Sequence, residues 1–223
     1  MRGSLKVAQL FGIPVFIHWS FWLLFLFVAY IGKTLPTIAF LSGNVLALFV
    51  CVVLHEFGHA LSARMYGVST QDITILPIGG IARLDRMPEK PYQEFVVAIA
   101  GPAVNLVIAI ILSLVLYFFY NFQFGIDELY DNKYGNTVPM HMLYILLYSN
   151  IFLAVFNMAP AFPMDGGRVL RALLSIRLGR AKATYIASRL GQIIAVLFVI
   201  YAVSPLLKKV FTPFTFFFPG VIC

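Results

Sequence analysis

Hydrophobic and polar positions along this chain do not alternate with a strand or amphipathic-helix period. They gather into long apolar blocks separated by short polar stretches. Blocks at about Trp19 to Ile31, Pro36 to Ser62, Glu94 to Tyr120, Met142 to Ala159 and Ile193 to Val203 predict membrane spans. The apolar stretch from Val210 to Cys223, with Pro213 and Pro219, is short and reads as a sixth span that has been cut. Two segments break the pattern. Gly12 to Ile17, apolar and β-branched around Pro14, predicts a short strand or interfacial segment ahead of the first span. Ile73 to Gly80, bent by Pro77 and two glycines, predicts a small hairpin or re-entrant sheet, either a connector or an exposed edge on which an extended peptide adds as a strand.

Composition sharpens this picture. Of 223 residues 61% are hydrophobic and 11% charged, which is outside the range of ordinary soluble domains. The formal charge of +7 does not point to nucleic acid, because the basic residues sit singly or in small groups beside apolar blocks. Cys51 and Cys223 are too far apart for a Cys-x-x-Cys metal or redox pair, and Cys51 reads as a packing residue. No cleavable signal is evident from Met1 to Leu10, so the first apolar block should stay in the membrane. His18, between aromatic residues and beside Trp19, reads as part of an aromatic entry to the bilayer and not as a metal ligand. Gly101 and Ala103 predict close helix approach in the third span, and Asn105 calls for a hydrogen-bond partner on a neighbouring helix.

Charge sets orientation. Arg64, Arg83, Arg86 and Lys90 follow the second span; Arg168, Arg171, Arg177, Arg180, Lys182 and Arg189 follow the fourth. The loop from Asn121 to Pro139 carries Asp127, Glu128 and Asp131 against Lys133 alone. Both basic segments are therefore expected in the cytoplasm, with spans two and four parallel. The fold class that follows is an all-α polytopic membrane protein. A single domain over residues 1–223 would hold a bundle of about six transmembrane helices, with small β-like segments on the cytoplasmic side.

The second span contains His55-Glu56-Phe57-Gly58-His59. On a helix the two imidazoles lie four residues apart on one face, spaced to bind a tetrahedral metal, with Glu56 between them placed to take a proton from water. Each ionisable group at mid-bilayer costs about 2.5 to 3.5 kcal/mol, so three in one apolar run call for a function. At about 1.5 Å per residue, His55 and His59 lie about 13 and 7 Å from the interface that Arg64 marks. Two histidines leave a catalytic metal one protein ligand short. By the parity of the spans, Asp165 at the end of span four arrives level with His55 and His59. Asp72, Asp85, Glu89, Glu94, Asp127, Glu128 and Asp131 all lie in or beside polar loops. The competing reading of Asp165 is a turn-forming aspartate ahead of Gly166-Gly167.

Taken together, His55-Glu56-x-x-His59, Gly101-Pro102-x-x-Asn105 and Asn157-x-x-Pro160-x-x-Pro163-x-Asp165-Gly166 resemble the site-2 protease family of intramembrane metalloproteases. The segments Gly12 to Ser20 and Pro77 to Gly80 are similar to the family's as well. The resemblance implies zinc, one ion per chain, held by His55, His59 and Asp165, with Glu56 as general base and Asn157 contributing oxyanion or substrate contacts. It implies a zinc metalloendopeptidase that cuts a peptide bond in or near a transmembrane segment of another protein, within the lipid bilayer. Met164 stands where the family usually has leucine, a near-isosteric change. The PDZ or carboxy-terminal regulatory domains that members often carry are not spelled by these residues. The rival reading from another class is a membrane metal-ion transporter, which would repeat its ligands along a path through the bilayer.

Overall fold

The computed structural model describes residues 3–120 and 138–217. Strands β1 (Ser4–Leu10) and β2 (Ile13–His18) lead into a 3-10 turn at Trp19–Trp22 and a short helix α1 (Leu23–Ile31). Helix α2 (Leu35–Met65), strands β3 (Thr70–Leu76) and β4 (Gly79–Leu84), and helix α3 (Pro91–Tyr120) follow. Helices α4 (Val138–Asn157), α5 (Asp165–Leu178) and α6 (Arg180–Phe217) complete the described chain. It is a mostly helical integral membrane protein with one small sheet. By length and hydropathy four of the described helices can cross a bilayer: α2, α3, α4 and the Arg180–Tyr201 part of α6.

The sheet runs in the order β1-β2-β3-β4, with β1–β2 and β3–β4 antiparallel and β2–β3 parallel. Parallel neighbours need a crossover, and α1 with α2 provides it. The outward leg, Trp19 to Ile31, is far shorter than the 31-residue return along α2. The lengths are reconciled because the sheet packs along the side of α2 and not beyond its end. Ile13 and Val15 of β2 and Ile73 and Ile75 of β3 share one core with Phe21, Phe49, Phe57 and Ala60. The ladder satisfies the backbone of the inserted strands, which allows non-helical chain to sit beside a membrane helix.

Several sequence expectations need correction. The first apolar block is too short for a full span, and its helix proper has nine residues. His18 caps the start of the entry turn, its Nδ1 accepting from the Ser20 amide at 3.3 Å. The hairpin expected at Ile73 to Gly80 is β3–β4, but the sheet also recruits β1 and β2, which pair with it only in three dimensions. Helix α5, amphipathic and rich in arginine, was not foreseen. The fifth span expected at about Ile193 to Val203 falls within α6, whose Arg180–Tyr201 part can cross a bilayer, but α6 continues through Pro205 and Lys208-Lys209 to Phe217, where a separate, cut sixth span was expected. The loop expected from Asn121 to Pro139 lies outside the described residues over 121–137.

Helices α3 and α4 pack through Ala109, Leu112, Leu116, Met140, Tyr144 and Leu147. On the other side α3 exposes Leu106, Ile110, Leu114 and Phe118, a large apolar face suited to lipid. Gly58 admits α3 to α2, since a Cβ there would lie 2.7 Å from the Ala100 carbonyl oxygen. Gly101 makes the matching approach from α3; Ala103, expected to share that role, is exposed.

Candidate metal centre

His55 and His59 lie on the buried side of α2, four residues apart as the helix dictates, and Asp165 is the first residue of α5. The three come together although 106 positions separate His59 from Asp165. The two Nε2 atoms stand 3.1 Å apart, and Asp165 Oδ2 is 3.2 Å from that of His55 and 3.1 Å from that of His59. All three residues are buried, with one ligand atom from each lying within 4.8 Å of the others. The ends of α2 and α4 converge here, as the parity of the spans requires, because Asn157 closes α4 in the same cleft.

Whether this donor set suits a cation depends on which nitrogens carry protons. His59 Nδ1 lies 2.7 Å from the Val97 carbonyl oxygen, which can only accept, so Nδ1 is the protonated nitrogen. His55 Nδ1 lies 2.5 Å from Asn105 Oδ1. As neutral rings, both histidines therefore turn an Nε2 lone pair towards the same point as a carboxylate oxygen. Three converging donors without a proton between them repel one another, and a divalent cation relieves that repulsion. Two imidazoles and a carboxylate suit zinc, and the outer hydrogen bonds orient the rings as second partners do at metal sites. Gly101 is needed beside them: a Cβ there would meet His59 Nε2 and come within 2.7 Å of His55 Nε2.

Glu56 points the other way round the helix, towards the sheet. Its Oε2 accepts from the Ala82 amide at 3.0 Å, and Gly80 makes room for its side chain. Ala82 belongs to β4, the outer strand of the sheet, and this N–H turns away from β3. A cleft of about 460 Å³ joins these parts. Glu56 and the three candidate ligands His55, His59 and Asp165 line it together with Gly79 to Ala82, the apolar side chains of Phe152, Leu153 and Phe156, and the polar Asn157 and Arg168.

Most of the loop carboxylates are committed elsewhere. Asp72 is buried and paired with Arg83, its cross-strand neighbour; Glu94 is buried and paired with Arg171 of α5. Hydrogen bonds from Ser69 and Gln71 hold the Asp85 carboxyl below its usual range. Glu89 is exposed, and Asp127, Glu128 and Asp131 lie outside the described residues. The turn reading of Asp165 is corrected as well: Gly166 and Gly167 are helical, and their missing side chains admit the 158–162 segment. A Cβ on Gly166 would strike the Met158 and Ala159 carbonyls, and one on Gly167 would lie 2.8 Å from Ala161 C and Phe162 N. Sequence reasoning missed the Val97 carbonyl, Gly58, Ala82, Asn150 and Arg168. Of these only Asn150, a polar residue inside an apolar block, left a visible signal.

Residues 43–198 match the model of peptidase family M50. A zinc metalloprotease of Methanocaldococcus jannaschii is 38% identical over 201 residues, 90% of this chain and 54% of its own length. A putative zinc metalloprotease of Synechocystis sp. is 34% identical over 208 residues, 86% of this chain and 50% of its own. The chain thus spans about half the length of the curated relatives it matches. The solved site-2 protease from Methanocaldococcus jannaschii superposes with a TM-score of 0.64 at 37% identity, covering 91% of this chain and 86% of that one. With its HExxH helix, its aspartate on a later helix and this extent of similarity, the chain belongs to peptidase family M50, the site-2 protease family.

Proposed function

We propose that this chain is a single metalloprotease domain that hydrolyses a peptide bond in or near a transmembrane segment of another membrane protein, with one zinc ion held by His55, His59 and Asp165. The observation that carries the reading is the convergence of three lone-pair donors in one cleft with a carboxylate and a strand edge. Zinc bound there supplies Lewis acidity, polarising the scissile carbonyl and acidifying water. Glu56 takes a proton from the attacking water and returns it to the leaving amine. The Asn157 side chain, with no hydrogen bond recorded among the described residues, is placed to donate to the carbonyl oxygen of the substrate.

A helical substrate hides its amides in i to i+4 bonds and has to be unwound before hydrolysis. The outer edge of β4 offers main-chain partners to the freed strand, and Phe152, Leu153 and Phe156 offer it an apolar wall. The bias of basic residues after α2 and α4 supports a cytoplasmic position for this end of the molecule. Among the described residues there is one cluster of metal-ligating groups and not a series along a path, which favours hydrolysis over ion transport.

The test is metal content and cleavage measured together. Purified protein should hold about one zinc per chain and cut a membrane-spanning substrate, and chelation should abolish cutting until zinc is returned. Glu56→Gln should lose cleavage by a factor of at least about 100 while keeping its zinc. Near wild-type turnover in that variant would remove Glu56 from the chemistry.

A further inference from the structure

Asn150 sits in the middle of α4, fully buried, on a helix that contributes no metal-ligating residue. Its Nδ2 donates to the Leu146 carbonyl oxygen at 2.8 Å, and its Oδ1 accepts from Asn105 Nδ2 at 2.8 Å. Asn105, also fully buried, turns its own Oδ1 to His55 Nδ1.

The direction of this chain is settled at its far end. A backbone carbonyl can only accept, so the Asn150 amide nitrogen must face Leu146 and its oxygen must face Asn105. Asn105 must then present nitrogen to Asn150 and oxygen to His55. His55 is left with its proton on Nδ1 and its lone pair on Nε2. His59 reaches the same state in one step, through the Val97 carbonyl. We propose that Asn150 is a positioning residue for the metal centre: through Asn105 it fixes the His55 tautomer, so that Nε2 faces the metal as a bare lone pair. Without it, Asn105 can rotate its amide and offer N–H to His55, which moves the imidazole proton onto Nε2 where the metal should bind. The inference rests on the metal-site reading above.

Zinc affinity, measured by competition with a chromophoric chelator, tests it. Asn150→Leu should bind zinc roughly 10- to 100-fold more weakly, the usual cost of losing an outer partner of a ligand. The decisive measurement repeats that substitution in an Asn105→Asp background. A carboxylate accepts from His55 Nδ1 whichever way it turns, so there the loss of Asn150 should change affinity by no more than about threefold. A mere packing role for Asn150 predicts equal losses in both backgrounds, and that result would overturn the proposal, as would no loss in either. In wild-type protein without metal, ¹⁵N-histidine NMR should show His55 as the Nδ1–H tautomer, a readout that needs no variant to fold. An Nε2–H tautomer overturns the inference. His55→Ala in the same chelator assay separates two failures. Undiminished zinc there defeats the metal-site reading itself, whereas lost zinc there with unchanged affinity in Asn150→Leu defeats only the role of Asn150.

Discussion

At the scale of single residues, the site is governed by what each atom can donate or accept. Asp165 meets both imidazole Nε2 atoms with one oxygen, and burial without a counter-charge would make that carboxylate costly. Asp165→Ala should therefore lose cleavage and most bound zinc, while Asp165→Asn, which keeps one carbonyl oxygen, should retain weakly held metal. Metal analysis after extended dialysis checks both, and full occupancy in Asp165→Ala would reopen the search for a third ligand. His55, Glu56 and His59 were legible as candidates because polar residues in apolar sequence stand out against their cost, and Asp165 because the parity of the spans brings it level with them. Gly58 and the Val97 carbonyl were not legible as parts of the site. What they contribute is a missing Cβ or a backbone oxygen, and neither has a letter that distinguishes it from the same residue elsewhere in the chain.

At the scale of elements, β4 and α5 carry the parts that the hydropathy pattern leaves out. The β4 edge holds Glu56 through the Ala82 amide, the same N–H that an added substrate strand would seek. Ala82→Pro removes this donor without breaking the ladder to β3, because the N–H points outward. We expect wild-type zinc content and a fold that melts within a few degrees of wild type. Cleavage of a membrane-spanning substrate should fall about 10-fold or more, since a hydrogen bond involving a charged group is worth about 1.5 to 3 kcal/mol. Initial rates in bicelles read this out, and an unchanged rate would take the β4 edge out of substrate binding. The sheet as a whole was only half visible in advance. A hairpin announces itself through Pro77 and its glycines, whereas the parallel pairing of β2 with β3 is a contact across more than 50 residues that no local pattern encodes. Helix α5 escaped for a different reason. Its amphipathic repeat is short, and the arginines on it read equally well as flanks of a span. In the structure one of them, Arg171, reaches Glu94 at the start of α3, which ties the helix bearing Asp165 to the helix bearing Gly101.

At the scale of the molecule, orientation in the membrane is the property that decides how substrate and water arrive. The fold makes it a single binary choice. β1 and β2 pair with β3 and β4 beside the C-terminal half of α2, and the cleft, Asn157 and the start of α5 gather at that same end. The N-terminal end of α2, at Thr34 and Leu35, lies opposite, since 31 helical residues rise roughly 46 Å, more than the thickness of a hydrocarbon core. The count of spans was not legible in the sequence: apolar length alone cannot say that Trp19 to Ile31 is a short leg beside a sheet, or that α6 runs on past Pro205. Direction rests on charge, with Arg64, Arg83, Arg86 and Lys90 all following the cleft end of α2 in sequence and Lys33 preceding the other end. Single cysteines at Lys33 and at Arg86, both exposed, in a background with Cys51 and Cys223 replaced by serine, should therefore react with a membrane-impermeant thiol reagent from opposite sides. In intact cells Lys33→Cys should label, and Arg86→Cys should label only after the membrane is opened. The reverse order would put the cleft on the outer side and make extracytoplasmic water and peptide release the route. Labelling of both from one side would mean that α2 does not cross, and the convergence of α2 and α4 at the metal centre would then need another membrane geometry to explain it.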